Sequence, residues 1–154
     1  KWPNDLLVKR RKIVGILTEM DATMEEINYI VMGMGINTDV ARVDLPEDLR
    51  DKATSFLLEG VRIPRKELLN LILMELETLY AEVETNGFAN ILDEWRKYSV
   101  TLGRDINVIT PGYTYSGKAI DIDSDGCLLV ETDHGVERVL AGEVSIRYKD
   151  EAAQ

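Results

Sequence analysis

The sequence predicts an α+β fold with strands at both ends of the chain and helices between them. Three observations lead to this fold class. Apolar, partly β-branched runs fill the first third, and apolar residues recur at helical spacing in the middle third. The last third contains short apolar runs separated by turn residues. The 154 residues are enough for one domain or two small ones.

The first third reads as three strands. Residues 6–8 and 13–17 are apolar runs that flank the polar tetrad Lys9-Arg10-Arg11-Lys12, a pattern typical of a β-hairpin with a charged turn. Residues 27–36 form the third strand, and their apolar content predicts burial on both faces. Gly33 and Gly35 near its end indicate a close approach to the backbone.

The middle third reads as three helices. Pro46 and two acidic residues predict a helix that runs to about Leu58, and Pro64 precedes a longer helix over residues 65–85. A third helix covers residues 88–98. Apolar residues of the last two helices are expected to be core: Leu68, Leu69, Ile72, Leu76, Leu79, Tyr80, Val83, Trp95 and Tyr98.

The last third reads as a small barrel. Five short strands are predicted at residues 106–109, 113–122, 127–131, 136–140 and 144–148. Five strands in so short a stretch predict an SH3-like β-barrel. We therefore expect a domain over residues 1–103, a barrel domain over 104–150 and a tail over 151–154.

The composition excludes several function classes. The chain has 18 Lys+Arg against 28 Asp+Glu, a net charge of −10, which argues against nucleic-acid binding through a general basic surface. Its longest apolar stretch is too short to span a bilayer. The single cysteine, Cys127, reads as a buried apolar residue, and the single histidine, His134, as an exposed turn residue. Neither a disulfide nor a Cys/His metal cluster is available, so we expect a reducing cytoplasm.

Three segments could carry chemistry, and each also has a purely structural interpretation. The lysine at the start of residues 1–5 (Lys-Trp-Pro-Asn-Asp) could present an ammonium group to an anion, or the segment is a polar loop. Gly15 could open the backbone to a ligand or pack against a neighbouring strand. Residues 33–37 (Gly-Met-Gly-Ile-Asn) lack the third glycine of a dinucleotide loop, and Asn37 is either a ligand-binding amide or a turn residue.

Residues 1–5, residues 14–19 (Val-Gly-Ile-Leu-Thr-Glu) and residues 33–37 stand in the order and at roughly the spacing of motifs in biotin protein ligases. The closing residues 142–147 (Gly-Glu-Val-Ser-Ile-Arg) are similar to the end of that family's C-terminal domain. The chain thus resembles the family over essentially its whole length. The resemblance implies part of a class II synthetase-like catalytic domain with a partial mixed sheet, followed by the SH3-like barrel.

The resemblance also implies an activity. Biotin–[acetyl-CoA-carboxylase] ligases use ATP, with Mg²⁺, to form biotinyl-5'-AMP, and then transfer biotin to a lysine of the biotin carboxyl carrier protein. By motif, Lys1 is the catalytic cation and contacts both the biotin carboxylate and the phosphate. Biotin would also contact Gly15, Ile16 and Leu17, and ATP would contact Gly35 and Asn37. On the barrel, Glu143 and Arg147 would face ATP and the carrier. The chain supplies no metal ligand by this resemblance, and homodimers through sheet pairing are expected.

In this family a Gly/Arg-rich loop precedes the first motif, and repressor members carry a winged helix-turn-helix further upstream. Neither occurs in these residues. We therefore expect the C-terminal part of a ligase, with little or no activity alone and with DNA binding confined to an absent N-terminal portion.

Two other functions remain open. The chain could be a non-catalytic docking or dimerisation module, whereas a lipoate-type ligase is disfavoured because the lysine motif and the barrel occur together. The basic tetrad is a solvated turn or a docking contact for an acidic carrier domain.

Overall fold

A computed structural model describes residues 1–23, 26–142 and 144–148. The chain divides into a first unit of Lys1 and Pro3–Met74 and a second unit of Trp2 and Glu75–Gln154. The predicted α+β class is confirmed, with two separate sheets and two α-helices among the described residues. The predicted domain boundary at 103/104 stays a prediction.

The first unit is built on a three-stranded antiparallel sheet. Its strands are β1 (Asp5–Val8), β2 (Arg11–Ala22) and β3 (Ile27–Ile36), in the order β1-β2-β3. Lys9 and Arg10 form the turn between β1 and β2 with positive φ angles of 49° and 68°. This is the left-handed backbone that two-residue hairpins need, although Asn and Gly adopt it more easily.

A β-bulge interrupts the pairing of β1 with β2. Leu6 pairs with Val14 while Leu7 pairs with Lys12, so Ile13 is an extra residue on β2. A bulge breaks the alternation of side chains between the two faces of a sheet. As a result Lys12 lies on the same face as Gly15, three residues later.

The expected burial of β3 on both faces is wrong. Its five largest exposed apolar side chains, Ile27, Tyr29, Ile30, Val31 and Met32, are 41% to 60% exposed. Apolar content indicates only a tendency toward burial, and in the described chain these side chains are left uncovered on both faces of β3.

The predicted helix over residues 46–58 is also wrong. The structure has two single-turn 3-10 segments, Arg42–Asp44 and Glu47–Leu49, followed by irregular chain. Lys52 and Ala53 N–H still bond back to Leu49 O, but other backbone groups of residues 52–56 bond to β2 and to Asn37 instead of continuing a helix. Lys12 N–H donates to Lys52 O at 2.8 Å, Thr54 N–H to Lys12 O at 2.9 Å, and Phe56 N–H to Asn37 O at 3.0 Å.

The long helix α1 runs over Arg65–Asn86, close to its predicted bounds. The expectation of one buried face is wrong, because no residue of α1 is buried. Its apolar residues lie on all sides, and Leu69, Leu71, Leu73, Met74 and Tyr80 are 48% to 70% exposed.

The second unit contains the SH3-like barrel. The strands are β4 (Asp105–Ile109), β5 (Thr114–Ile122), β6 (Leu128–Thr132), β7 (Gly135–Val139) and β8 (Ser145–Tyr148), in the antiparallel order β7-β6-β5-β4-β8. Their inward side chains form one buried core: Ile106, Val108, Ala119, Ile122, Leu128, Val130, Val139, Ile146 and Tyr148. All five strands were predicted from turn residues to within one residue at each end.

Helix α2 (Ala89–Tyr98) packs on this barrel. Leu92 and Trp95 contact the core, and Arg96 donates to Asp121 Oδ1 at 2.7 Å and to Ile122 O at 2.8 Å. Tyr98, expected in the core, is 77% exposed because it is the last residue of the helix.

Trp2 belongs to the barrel core despite its position in the chain. It is 4% exposed, its N–H donates to Thr101 Oγ1 at 3.0 Å, and its indole Nε1–H donates to Gly126 O at 3.1 Å. Cys127 is buried and His134 lies exposed in a turn, as predicted.

Candidate functional site

Three glycines lie close together on one face of the first unit's sheet. Asp5, Gly15 and Gly35 stand side by side across β1, β2 and β3, and Leu17 pairs with Gly33 in the next row of the same face. We call this the glycine face (Asp5, Gly15, Leu17, Gly33, Gly35). A Cβ at Gly35 would have its nearest neighbour, the Gly15 oxygen, 3.8 Å away, so a ligand can approach the backbone there.

Lys12 supplies a cation on the glycine face. Its Nζ lies 2.5 Å from Asp5 Oδ1, and a Cβ at Gly15 would be 2.9 Å from both Lys12 Cε and Nζ. The lysine side chain therefore occupies the space over Gly15 that the side chain of any other residue at position 15 would fill. A compact ammonium held at a bare backbone surface is suited to a carboxylate or phosphate.

The segment that precedes β1 is tied to the same sheet. Asn4 Nδ2 donates to Ile16 O at 2.7 Å, and Ile16 N–H donates to Asn4 O at 2.9 Å. Asp5 N–H donates to Lys1 O at 3.1 Å, which fixes the backbone of Lys1 beside β1. The Lys-Trp-Pro-Asn-Asp segment is thus an ordered lead-in that sets the position of Asp5.

Of the four residues predicted to contact biotin, the three on β2 do not share a face. Gly15 and the 62%-exposed Leu17 lie on the glycine face. Ile16 points to the opposite face, since side chains alternate along a regular strand. Of these residues, the structure brings Gly15 and Leu17 together with Gly35 and Lys12.

Asn37 follows directly after β3 and is held on three sides. Its N–H donates to Ile13 O at 3.0 Å, its C=O accepts from Phe56 N–H at 3.0 Å, and its Nδ2 donates to Thr54 O at 3.0 Å. Asn37 is thus held by both of its backbone groups and by its side-chain NH₂ group.

Behind Asn37 lies a nearly buried carboxylate, Glu59, whose side chain is 9% exposed. It accepts from Lys9 Nζ at 2.9 Å, from Arg11 at 2.7 Å and from Thr54 Oγ1 at 2.7 Å. The hydrogen bond from Lys9, followed by that from Thr54, lowers the pKa of Glu59. We call Lys9, Arg11, Thr54 and Glu59 the Glu59 cluster.

The basic tetrad is therefore largely occupied within the chain. Lys9 and Arg11 pair with Glu59, and Lys12 pairs with Asp5. The interpretation of the tetrad as a carrier-docking contact stays a prediction.

On the opposite face of the sheet, α1 and β3 border an open groove of about 630 Å³. Its floor is apolar, and Arg65 pairs with Asp39 at its rim, 3.2 Å apart. The groove is lined by Met34, Ile36, Thr38, Asp39, Val40, Asp44, Arg65, Leu68, Leu69 and Ile72.

The predicted barrel residues are placed as follows. Arg147 is exposed on β8, where it pairs with Asn107 of β4, and Glu143 lies outside the described residues. Among the residues with described positions, no three His, Cys, Asp or Glu side chains come close enough to hold a metal ion. Neither helix of the described chain has the length and apolar character needed to cross a bilayer.

Sequence reasoning missed Lys12, Asp5, Thr54 and Glu59. Lys12 was grouped with its basic neighbours, and regular alternation would have put it on the face away from Gly15. Only the bulge at Ile13 brings the two together, and no residue pattern marks that bulge. Glu59 lies 50 positions after Lys9, a pairing that spacing along the chain does not reveal.

Two models of known protein families match parts of this chain. Residues 1–37 match the model described as "Biotin/lipoate A/B protein ligase family", and residues 101–147 match "Biotin protein ligase C terminal domain". The two matches cover the Lys12 and Asn37 region and the barrel.

Curated relatives include the bifunctional ligase/repressor BirA of Bacillus subtilis, which is 36% identical over 95% of this chain, and that of Escherichia coli, 32% identical over 96%. The biotin–[acetyl-CoA-carboxylase] ligase of Mycobacterium tuberculosis is 34% identical over 94% of this chain. The chain spans only 45%, 46% and 51% of these three relatives.

Among solved structures, the apo biotin protein ligase of Aquifex aeolicus is similar with a TM-score of 0.83 at 26% identity. The match covers 96% of this chain and 64% of that one. The same ligase in complex with biotin and ATP matches with a TM-score of 0.79, again at 26% identity, over 96% of this chain and 61% of the other.

Proposed function

The chain belongs to the biotin protein ligase family, and we propose that its glycine face and Asn37 form part of a site that attaches biotin to a lysine of a biotin carboxyl carrier protein. The observation that carries this proposal is the Lys12 ammonium held over Gly15 by Asp5. The relatives named as biotin ligases supply the chemistry of the ligand. The carrier, an acetyl-CoA carboxylase subunit, is inferred from the M. tuberculosis relative.

The proposed reaction has two steps. An oxygen of the biotin carboxylate attacks the α-phosphorus of ATP, with Mg²⁺ accompanying the nucleotide, so that biotinyl-5'-AMP forms and pyrophosphate leaves. The carrier lysine amine then attacks the biotinyl carbonyl, and AMP leaves with the bonding electrons. Both steps build negative charge on oxygens, which a fixed ammonium stabilises.

In this proposal Lys12 is the cation nearest the biotin carboxylate, with Lys1 as the second candidate. Gly15 and Leu17 support the bicyclic ring, because a bare strand offers backbone N–H and C=O groups to the ureido edge. Gly35 and Asn37 contact ATP. Glu143 and Arg147 remain the proposed barrel contacts to ATP and the carrier.

Calorimetric titration with biotin tests the assignment of the cation. We expect Lys12→Ala to weaken biotin binding by at least about tenfold, because a charge-assisted hydrogen bond is lost. Lys66→Ala, an exposed lysine in the first turn of α1, is the matched control and should bind like the unaltered chain. Lys1→Ala, measured in parallel, shows whether Lys1 contributes as well.

Equal biotin affinity in the chain, Lys12→Ala and Lys1→Ala would contradict the proposed site. A loss in Lys1→Ala alone would move the cation to position 1, as the motif resemblance implies.

A second candidate function is a non-catalytic docking or dimerisation module. The exposed apolar residues of β3 and α1 favour it, since exposed apolar patches of this kind mark interaction surfaces. If calorimetric titration with biotin gives no heat of binding while the chain is folded, the module is favoured over the ligase.

We further propose that the chain forms homodimers through β3. An edge strand presents unpaired N–H and C=O groups that can pair with a second copy. The reaction consumes ATP and Cys127 is a free thiol, so we place the activity in the cytoplasm.

A further inference from the structure

The segment of residues 52–54 lies beside β2 beyond the end of β3. Lys12 N–H donates to Lys52 O at 2.8 Å, and Thr54 N–H donates to Lys12 O at 2.9 Å. Both backbone groups of Lys12 are therefore bonded to this segment, directly beside the bulge at Ile13.

The carboxylate of Glu59 joins the same segment to the start of β2 and to the turn before it. Its Oε1 accepts from Thr54 Oγ1 and from Arg11, both at 2.7 Å, and its Oε2 accepts from Lys9 Nζ at 2.9 Å. Thr54 has no exposed surface and the Glu59 side chain is 9% exposed, so the bond between them is largely shielded from water. Because Arg11 directly precedes Lys12, one carboxylate holds the chain on both sides of that lysine.

The turn between β1 and β2 needs such a contact. Lys9 and Arg10 adopt positive φ angles of 49° and 68°, a backbone conformation that is costly for residues with a side chain. The ion pair with Glu59 holds the first of these two residues in place. The turn and the bulge are thus both stabilised by the Glu59 cluster.

We infer that Glu59 is a positioning residue, which fixes the turn and the bulge that hold the Lys12 ammonium over Gly15 and thereby sets the preference of the site for a carboxylate. This inference rests on the proposed function, in which that ammonium binds the carboxylate of biotin. A bulge is one extra residue, and a shift of one residue in the pairing moves a side chain to the opposite face of the sheet. Loss of the contacts that hold the bulge therefore moves Lys12 away from Gly15.

Glu59→Gln removes these contacts with little change in the size of the side chain. A carboxylate accepts at both oxygens, whereas an amide has one acceptor oxygen and one NH₂ group. Arg11 binds Oε1 and Lys9 binds Oε2, so in either orientation of the amide one cation faces the NH₂ group. Thr54→Val is the milder change, because it removes only the hydroxyl donor.

Calorimetric titrations of the full 154-residue chain with biotin and with biotin methyl ester test the inference. The ester keeps the ring system but lacks the carboxylate charge, so the ratio of the two affinities reports on the cation at the carboxylate. We expect the unaltered chain to bind biotin at least about tenfold more tightly than the ester. Glu59→Gln and Thr54→Val should each lower this ratio at least about threefold, while the affinity for the ester stays within about twofold.

The matched control is Asp51→Asn, which alters another carboxylate of the first unit that pairs with an arginine, Arg42, at 2.9 Å. This variant should keep the ratio of the unaltered chain. Lys12→Ala should lower the ratio, and in that background Glu59→Gln should lower it no further, since the ammonium on which it acts is gone.

Four outcomes would overturn the inference. They are no preference for biotin over the ester, a preference that Lys12→Ala leaves unchanged, an equal loss of biotin and ester affinity in Glu59→Gln and Thr54→Val, and a Glu59→Gln effect on the ratio that persists in Lys12→Ala. If Glu59→Gln does not fold, Thr54→Val decides.

The same titrations distinguish failure of the inference from failure of the proposed function. If Lys12→Ala lowers the preference for biotin but Glu59→Gln and Thr54→Val do not, the role of Glu59 is wrong and the proposed function stands. If the unaltered chain binds neither biotin nor the ester, the proposed function fails and the inference fails with it.

Discussion

Gly117 is the barrel glycine at which an added Cβ would meet the closest neighbours. A Cβ at this position on β5 would lie 2.5 Å from both Glu131 O and Val130 Cγ1, and 3.1 Å from Thr132 Cγ2. Glu131 O is a backbone atom of β6, and Val130 Cγ1 belongs to a core side chain of the same strand. Neither atom can move away without disturbing the sheet. The close approach of β5 and β6 therefore depends on the missing side chain.

We expect Gly117→Ala to lower the free energy of unfolding by about 1–3 kcal/mol, the range for overpacking a core. Chemical denaturation followed by circular dichroism measures the change. Gly112→Ala is the control, since a Cβ there would meet nothing within 4 Å. Equal stability of the two variants would show that the sheet relaxes around the added methyl group.

Part of the candidate site can be predicted from the residue types in the sequence. The glycines at 15 and 35 and the amide at 37 were found because residue type limits what they can do. Lys12 was not, because its face depends on one extra residue, Ile13, in the β2 pairing. Thr54 and Glu59 were missed because their role arises from contacts between distant segments.

At the scale of elements, arginine–carboxylate pairs attach α2 to the barrel and join β7 to the β5–β6 turn within it. Arg96 of α2 bonds to Asp121 of β5, and Arg138 of β7 bonds to both Asp123 and Asp125 in the β5–β6 turn. The hydrogen bond from Arg96 lowers the pKa of Asp121, and that from Arg138 lowers the pKa of Asp123, both from an ordinary value of 3.8.

A carboxyl with a depressed pKa in the folded state stabilises the fold above its unfolded pKa, and that contribution is lost as the pH falls through the folded value. We therefore expect stability to be flat from pH 7 to about 5 and to decrease below about pH 4. Asp121→Asn should lower the melting temperature at pH 7, and its difference from the unaltered chain should shrink below pH 4. A difference that stays constant down to pH 2.5 would contradict the Arg96–Asp121 assignment.

Elements were predicted well where local signals decide them. Turn residues such as Pro111-Gly112 and Asp133-His134-Gly135 marked the barrel strands, since tight turns demand particular backbone angles. The segment over residues 46–58 was mistaken for a helix because its Pro and acidic start has helical character, while its backbone groups bond across to β2 and Asn37. The predicted burial of β3 and α1 is wrong because apolar content indicates only a tendency toward burial. Whether a side chain is buried depends on what packs against it.

Two features of the whole molecule have opposite effects on self-association: the exposed apolar side chains of β3 and the net charge of −10. Like charge keeps copies apart, whereas an edge strand with Ile27, Tyr29 and Ile30 exposed favours pairing. Association should therefore strengthen as salt screens the charge.

Sedimentation velocity tests the proposed homodimer. We expect a dimer whose fraction rises with protein and salt concentration, and a monomer for Ile30→Lys at the same concentrations. Val43→Lys is the matched control, because Val43 is 80% exposed but belongs to the 3-10 segment Arg42–Asp44 and not to β3. Similar association in both variants would place the interface elsewhere on the chain.

The location of Trp2 has a consequence for spectroscopy. Both tryptophans of the chain, Trp2 and Trp95, belong to the second unit and contact the barrel core. Intrinsic tryptophan emission therefore reports mainly on the barrel core, although Trp2 lies between Lys1 and Pro3 of the first unit. Loss of the barrel core should shift the emission spectrum strongly, and a tryptophan placed at Tyr29 of β3 would report on the first unit.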